Sequence, residues 1–563
     1  MQSNTNPAID TRVPYRTGWP ILPVLPVEES HAEITTYFRN PGSVELEICS
    51  ILKKHSLNHH DFGLCHRLNK GVPLDGQRPT MRIISEKETD SKEARIKAVE
   101  EIKCLFEREN ADVAVEIILS EAYVGFDTDI ILSTERDLIL QWKSLWTKIE
   151  KTIAIHDYLT LDLVRRGEQN RPTFLIGARD ANDESWWSTT LPMLRKMVPA
   201  DIDLELCFLD SVELTGSARR DSVDDCSYLS IGASCGNRGG TRAGTLGGFV
   251  ELERDGRPLG QFGVSNCHVL GKGIIQGVSD LSVVSPADKD HNKAVSDAQL
   301  DIDKKYDRIK DLIKTITDIP SKIPLLELQL DRLHLRMRDA MTVLHLNRRI
   351  GDLFAWQMQT TKNDTFDENY RKLLESDSMH DDTYRWALDW CLVRLGMPQE
   401  RCIDNKALMP DENGKLGIYA PVTEYCEMDP TENYDVVKYG RTSGRTLGVV
   451  SAVPSVVRLT ANTTDKFGAP TLCRSIVGNK RHTNLFLEPG DSGSLVLLNR
   501  RGKRNAQIVG LGFGRNYQIS YMQPMDLVLR AMEKKTGAKV TMPTFAGLAT
   551  SSQDQRRPAN SKA

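Results

Sequence analysis

The residues best placed to do chemistry lie near the end of the chain, in Glu488-Pro489-Gly490-Asp491-Ser492-Gly493-Ser494, followed by the apolar run Leu495 to Leu498. Gly-Asp-Ser-Gly is expected by chance in roughly one per cent of chains this long. A nucleophilic serine needs its hydroxyl exposed on a tight loop, with backbone N–H groups aimed at a developing oxyanion. Glycine permits the turn and lets another backbone approach. The amides of Gly490 and Ser492 are the natural donors. A plain surface turn before a strand would look the same in isolation, so the motif needs partners. A serine hydroxyl requires a base, and the base requires an orienting carboxylate. Phe262 to Leu270 carries His268 at the end of a β-type segment, and Asp389 opens the buried-type strand Asp389 to Leu395. Each alone reads more readily as a structural residue.

Their order decides between the readings. Histidine, then aspartate, then serine is the chain order of chymotrypsin-type triads and not that of subtilisin or the α/β-hydrolases. Ser265-Asn266-Cys267-His268-Val269, Asp389-Trp390-Cys391-Leu392 and Gly490-Asp491-Ser492-Gly493-Ser494 resemble the histidine, aspartate and serine motifs of the trypsin-like (chymotrypsin-fold) serine peptidases, most nearly the intracellular fungal-type members that lack disulfides. Ala243 to Gly248 is similar to the family's first barrel strand, and Lys438 to Gly444 to the segment opening its second barrel. Gly510-Leu511-Gly512-Phe513-Gly514 is similar to the strand that pairs with bound peptide. The resemblance spans about 230 to 535. It implies two six-stranded barrels with His268, Asp389 and Ser492 in the cleft between them, an oxyanion hole from Gly490 and Ser492, and substrate contacts from Phe486, Gly510, Leu511 and Gly512.

Three features depart from the family pattern. The motif ends in Ser494 rather than glycine. His268 and Asp389 are 121 residues apart, far more than usual. Phe486, six residues before the serine, stands where members cutting after Lys or Arg carry aspartate, so a basic P1 preference is not supported. The resemblance implies a protein or peptide substrate and requires no metal or organic cofactor.

These residues need elements to hold them. Residues 1–75, rich in Pro, His and turn formers with one helix over 44–54, read as an N-terminal extension. Over 76–210 the pattern alternates. Strands are expected at 81–85, 113–119, 173–176 and 202–208, and helices at 91–107, 137–155 and 186–197. That alternation argues for an α/β domain. Residues 211–230 read as a linker. From 231 to 545 short Gly-punctuated strands predict an all-β double-barrel domain. An inserted helical hairpin at about 290–348 is expected, broken by the prolines of Asp318 to Pro324. Its apolar stripes fit packing on each other better than oligomerisation. Residues 546–563 read as a disordered tail.

Composition narrows the function further. The 563 residues carry 40% hydrophobic and 27% charged residues and a formal net charge of -4. That gives no global electrostatic reason to bind nucleic acid. The 11 cysteines are odd in number and unpaired in spacing, which argues against a disulfide framework. With neither a secretory leader nor an apolar span in view, an intracellular site, cytoplasmic or nuclear, and no membrane partner are expected.

Other clusters read as inert. His55, His59, His60, Cys65 and His66 lack a second ligand knuckle for zinc. Gly239 to Gly248 lacks the lysine of a phosphate loop. Arg500, Arg501, Lys503 and Arg504 suit a solvated turn. Cys267 would face away from His268 on a strand and be buried. The leading expectation is an active serine endopeptidase, with the N-terminal domain and the hairpin as places for a regulatory partner. The alternative is a catalytically silent peptidase-fold binding or scaffold protein.

Overall fold

The computed structural model describes residues 8–86, 91–213, 228–271, 281–318, 328–329, 331–333, 348–358, 385–396, 402–429, 431–459, 470–479 and 485–543. The chain divides into two compact units, 1–131 with 135–212, and 132–134 with 213–563.

The first unit contains a five-stranded sheet ordered Arg16–Trp19, Ala114–Leu119, Thr80–Ser85, His59–Leu68, Glu28–His31. Thr80–Ser85 and Ala114–Leu119 run parallel. The helix Lys92–Arg108 links them and buries Ala98, Val99, Ile102, Leu105 and Phe106, a stripe at 3–4 spacing. It starts at Ser91, whose side chain accepts from the Ala94 N–H at 3.1 Å. A second group pairs Tyr158–Arg166 antiparallel and Asp203–Phe208 parallel to Arg171–Ala178. The helix Arg136–Ile153 lays Trp142 against Phe174, ring centroids 5.9 Å apart.

The expected boundary at 75 falls inside the first sheet, because residues 16–68 supply three of its strands and the helix Pro41–Lys54. The strand His59–Leu68 was hidden by its histidines. Its first half is exposed or half-buried and its second half buries Leu64, Cys65 and Arg67, so no simple two-residue alternation marks it.

The second unit is dominated by two antiparallel sheets. In one, Gly244–Leu246, Ala233–Asn237, Ser282–Val284, Arg349–Met358, Asp389–Leu395, Arg257–Ser265, Gly248–Arg254 and Lys539–Thr541 pair in that order. It curls back on itself, with the Gly247 N–H donating to the Val264 carbonyl at 2.8 Å. Leu229, Leu246, Phe249, Leu270, Ile350 and Val393 fill it. In the other, Tyr434–Gly440, Gly444–Arg458, Pro470–Gly478, Ile519–Pro524, Ala506–Arg515 and Leu495–Leu498 pair in sequence, and the last returns to the first. These six strands close a ring, which removes the open edges a flat sheet would leave.

The helix Asp288–Asp318 enters between two strands of the first of these sheets. The expected second arm of the hairpin falls almost wholly outside the described residues. So do most of the linker, residues 214–227, and the whole tail, 546–563. The segment expected to carry His268 as strand ends at Ser265, and His268 lies on the short helix Cys267–Leu270.

The first unit encloses a buried charge held by two arginines. Glu116 is fully buried and meets Arg16 Nε and Arg67 Nε, each at 2.5 Å. Burial alone would raise its pKa, but the two guanidinium charges outweigh it and hold the carboxyl below the usual range. Glu116→Leu leaves two buried arginines without that carboxylate and is expected to cost about 3–5 kcal/mol. A urea unfolding curve with an unchanged midpoint would contradict this.

Candidate functional site

Two sheets of the second unit meet where the three chemistry-bearing residues lie. The first sheet brings His268 and Asp389. The strand Arg257–Ser265 lies beside Asp389–Leu395 in antiparallel register, Ser265 opposite Cys391, so the residues that follow one strand meet the start of the other. The His268 N–H donates to Asp389 Oδ1 at 3.0 Å, and its Nδ1 pairs with Asp389 Oδ2. Asp389 is itself fixed by neutral groups. Its N–H donates to Gln523 Oε1 at 2.8 Å, and its carbonyl accepts Gln523 Nε2 at 2.6 Å and Asn266 Nδ2 at 2.5 Å. A carboxylate bonded to Nδ1 leaves Nε2 as the nitrogen able to take a proton. That atom is buried and, among the described residues, has no hydrogen-bond partner.

The closed barrel brings Ser492. Its loop turns through Gly490 at φ 106° and Gly493 at φ 95°, values that disfavour any side chain. A Cβ on Gly490 would also lie 2.1 Å from Thr442 Oγ1. The loop's carbonyls are tied outward. The Pro489 carbonyl accepts Thr442 Oγ1 at 2.7 Å, and the Asp491 carbonyl accepts the Ser494 N–H at 3.0 Å and its hydroxyl at 2.5 Å. In a trans peptide the C=O and the following N–H point opposite ways. The Gly490 and Ser492 amides therefore point away from these anchors. The Ser492 carbonyl accepts the Thr245 N–H at 2.9 Å, and Gly244 packs against Val269, the neighbour of His268. Ser492 thus lies in the neighbourhood of His268. Its Oγ donates to the Phe513 carbonyl at 2.7 Å.

Asp491, between Gly490 and the nucleophile candidate, gathers the loop. Its carboxylate accepts the N–H groups of Thr442 at 2.8 Å, Glu488 at 3.0 Å and Ser443 at 3.2 Å, and the Ser443 hydroxyl at 2.5 Å. It also pairs with Lys438 Nζ, both side chains fully buried. Burial raises the Asp491 pKa, but the lysine charge and these hydrogen bonds prevail and hold it below the usual range. Sequence reasoning missed Lys438, Arg441, Thr442, Thr245 and Gln523. One available signal was Lys438 itself, a lysine set in the apolar strand Val436-Val437-Lys438-Tyr439-Gly440.

The expected substrate contacts move. Phe486 is 1% exposed and packs in the barrel core with Val436, Ile476, Val496 and Met522, so it lines no cleft. Gly510, Leu511 and Gly512 are hydrogen-bonded on both sides. Leu495–Leu498 and the Ser494 carbonyl take one edge and Ile519–Pro524 the other. No backbone group is left there for a peptide. Phe513–Arg515 extends beyond the end of Leu495–Leu498. There the Glu213 N–H donates to the Arg515 carbonyl at 3.0 Å, and its carboxylate meets Arg515 Nη2 at 2.7 Å. Cys267 is buried as expected, though on a helical turn rather than a strand. Burial first, then the Asp389 charge, pushes its thiol far above the ordinary cysteine value, and burial, followed by the neighbouring Cys267, raises that of Cys391. Neither is a nucleophile at neutral pH.

No protein-family model and no curated protein matches the chain. Among solved structures, one described as a glutamic-acid-specific serine protease that uses a histidine triad in substrate binding is 12% identical, with a TM-score of 0.25 over 56% of this chain and 100% of that one. A likeness this slight carries no argument.

The Lys438–Asp491 pair yields a test. The carboxylate's contribution is present above the ordinary aspartate value of 3.8 and is lost only as pH falls through its lower folded value. Lys438→Met removes the cation from a buried carboxylate and is expected to lower stability by about 3–5 kcal/mol and to move acid unfolding to higher pH. Urea and acid titrations that superimpose on wild type would remove the pair as the loop's anchor.

Proposed function

We propose that the second unit is a serine endopeptidase of the chymotrypsin type, with Ser492 as nucleophile, His268 as general base and acid, and Asp389 as the orienting carboxylate. The observation that carries the reading is the buried His268–Asp389 pair beside a serine loop whose Pro489 and Asp491 carbonyls are tied away from the amides of Gly490 and Ser492. The closed six-stranded barrel and the curled second sheet agree with the two-barrel architecture that the sequence resemblance implies.

On this reading Ser492 Oγ leaves the Phe513 carbonyl, gives its proton to His268 Nε2 and adds to the scissile carbonyl. The Gly490 and Ser492 amides hold the resulting oxyanion. His268 then protonates the leaving amine, the C–N bond breaks, and water attacks the acyl-serine by the same route. Asp389 keeps the tautomer and stabilises the imidazolium.

A second reading, a catalytically silent peptidase-fold binding or scaffold protein, is favoured by two specific observations. Ser492 and His268 are 0% and 1% exposed, and the Ser492 hydroxyl is engaged by Phe513 rather than by the histidine. Glu213 also occupies the strand edge that a peptide would use.

Labelling with a fluorophosphonate probe separates the two. Wild type is expected to form a covalent adduct that Ser492→Ala abolishes, and His268→Ala is expected to slow peptide turnover by several orders of magnitude. Folded wild type that takes no label would favour the silent reading, and labelling that persists in Ser492→Ala would remove the nucleophile.

A further inference from the structure

The inserted helix Asp288–Asp318 is bound to the peptidase unit at its first turn. Ala287 N–H donates to Ser234 Oγ at 3.1 Å, and that hydroxyl donates to Asp290 Oδ2 at 2.5 Å. Arg348 Nη1 reaches Asp288 Oδ1 at 2.5 Å. Two of the apolar side chains further along this helix, Tyr306 and Ile313, are more than half exposed. Between them Ile309 is buried, and the polar contacts named above lie at the start of the helix.

Asp290 has a second partner. Its two carboxylate oxygens accept Nε and Nη2 of Arg441, a bidentate pair whose arginine is 1% exposed. Arg441 is the residue between the barrel strand Tyr434–Gly440 and Thr442, and it touches the serine loop by three routes. Its backbone N–H donates to Thr245 Oγ1 at 3.0 Å, and that hydroxyl donates to the Gly490 carbonyl at 2.8 Å. Its Nη1 donates to Thr442 Oγ1 at 3.4 Å, and that hydroxyl donates to the Pro489 carbonyl at 2.7 Å. The same Nη1 lies 2.4 Å from where a Gly490 Cβ would be, so the guanidinium packs on the glycine itself. Both peptide planes that flank Gly490 are thereby set by hydroxyls that Arg441 organises.

A buried guanidinium cannot lose its proton and holds its place only through fixed acceptors. Asp290 supplies two of them in a planar fork, the geometry that gives an arginine one orientation rather than several. We propose that Asp290 is a positioning residue of the site: acting through Arg441, it sets the Pro489–Gly490 peptide and so the aim of the Gly490 amide. The insertion thereby completes the oxyanion donor pair. This inference rests on the peptidase reading above.

Asp290→Asn keeps the shape and removes the charge. Relative to wild type, the rate constant for fluorophosphonate labelling and kcat on a peptide ester are expected to fall about 10- to 100-fold, the range below full loss of one oxyanion donor, with KM within about two-fold. Arg441→Lys, which cannot form the fork, should match it, and Asp290→Glu should recover most of the rate. Hydrogen exchange at Gly490 and Ser492 should quicken in Asp290→Asn. An Asp290→Asn protein that labels at the wild-type rate with unchanged loop exchange overturns the inference and leaves the peptidase reading intact. A fall in melting temperature with kcat unchanged also overturns it, since that marks a structural clasp. If wild type takes no label, the peptidase reading fails, and loop exchange in the two variants alone decides whether Asp290 sets the loop.

Discussion

The second unit's candidate chemistry depends on one buried carboxylate that performs no chemistry itself. Asp491 sits beside Ser492 with no exposure, and an ionised group there is tolerable only if its lone pairs are filled and its charge is met. Three N–H groups, one hydroxyl and the Lys438 ammonium do this. Those donors come from two stretches, 438–443 and 488, so filling the carboxylate fixes the serine loop against the floor of the barrel. The loop's positive φ values follow from this convergence, and glycine follows from the φ values.

The histidine half of the site is built on a different principle. No cation faces Asp389 among the contacts described. It is held by the amides of Asn266 and Gln523 and by the backbone N–H of His268. The two amides hold the Asp389 backbone, and its carboxylate meets His268 at the backbone N–H and at Nδ1. The two carboxylates of the site thus have opposite environments. One meets a buried cation and holds the serine loop, and the other meets the histidine.

The sequence made the candidate residues legible because each carries a local mark: a glycine-flanked serine, a histidine after a β segment, an aspartate opening an apolar strand. Their supports leave almost none. Gln523 meets Asp389 across 134 positions, Arg441 meets Asp290 across 151, and Thr245 meets Gly490 across 245. Only folding brings them together. Local spacing also cannot say which side of a strand is open, so Gly510, Leu511 and Gly512 fell inside the ladder and Phe486 in the core. Much of the alternation in 76–210 was readable from apolar period, since its helices and most of its strands bury one-sided or continuous stripes. Tyr158–Arg166 and His59–Leu68 were missed, and His59–Leu68 shows why, since its histidines, Asp61 and buried Arg67 break the apolar period.

The magnitudes separate what is fixed in this site from what can move. The loop frame rests on a buried ion pair whose disruption costs about 3–5 kcal/mol. The features that close the site are weaker. Ser492 Oγ spends one neutral hydrogen bond on Phe513, worth about 0.5–1.5 kcal/mol. Glu213, a third exposed, bridges Arg515 through the backbone and pairs with its guanidinium at a partly solvated position, where such a pair is worth about 0–1 kcal/mol. A peptide laid along Phe513–Arg515 would replace the backbone bond with its own, so displacing Glu213 need not disturb Asp491, Lys438 or the glycines. A site closed in this way can open without being rebuilt, and both readings share the same rigid frame.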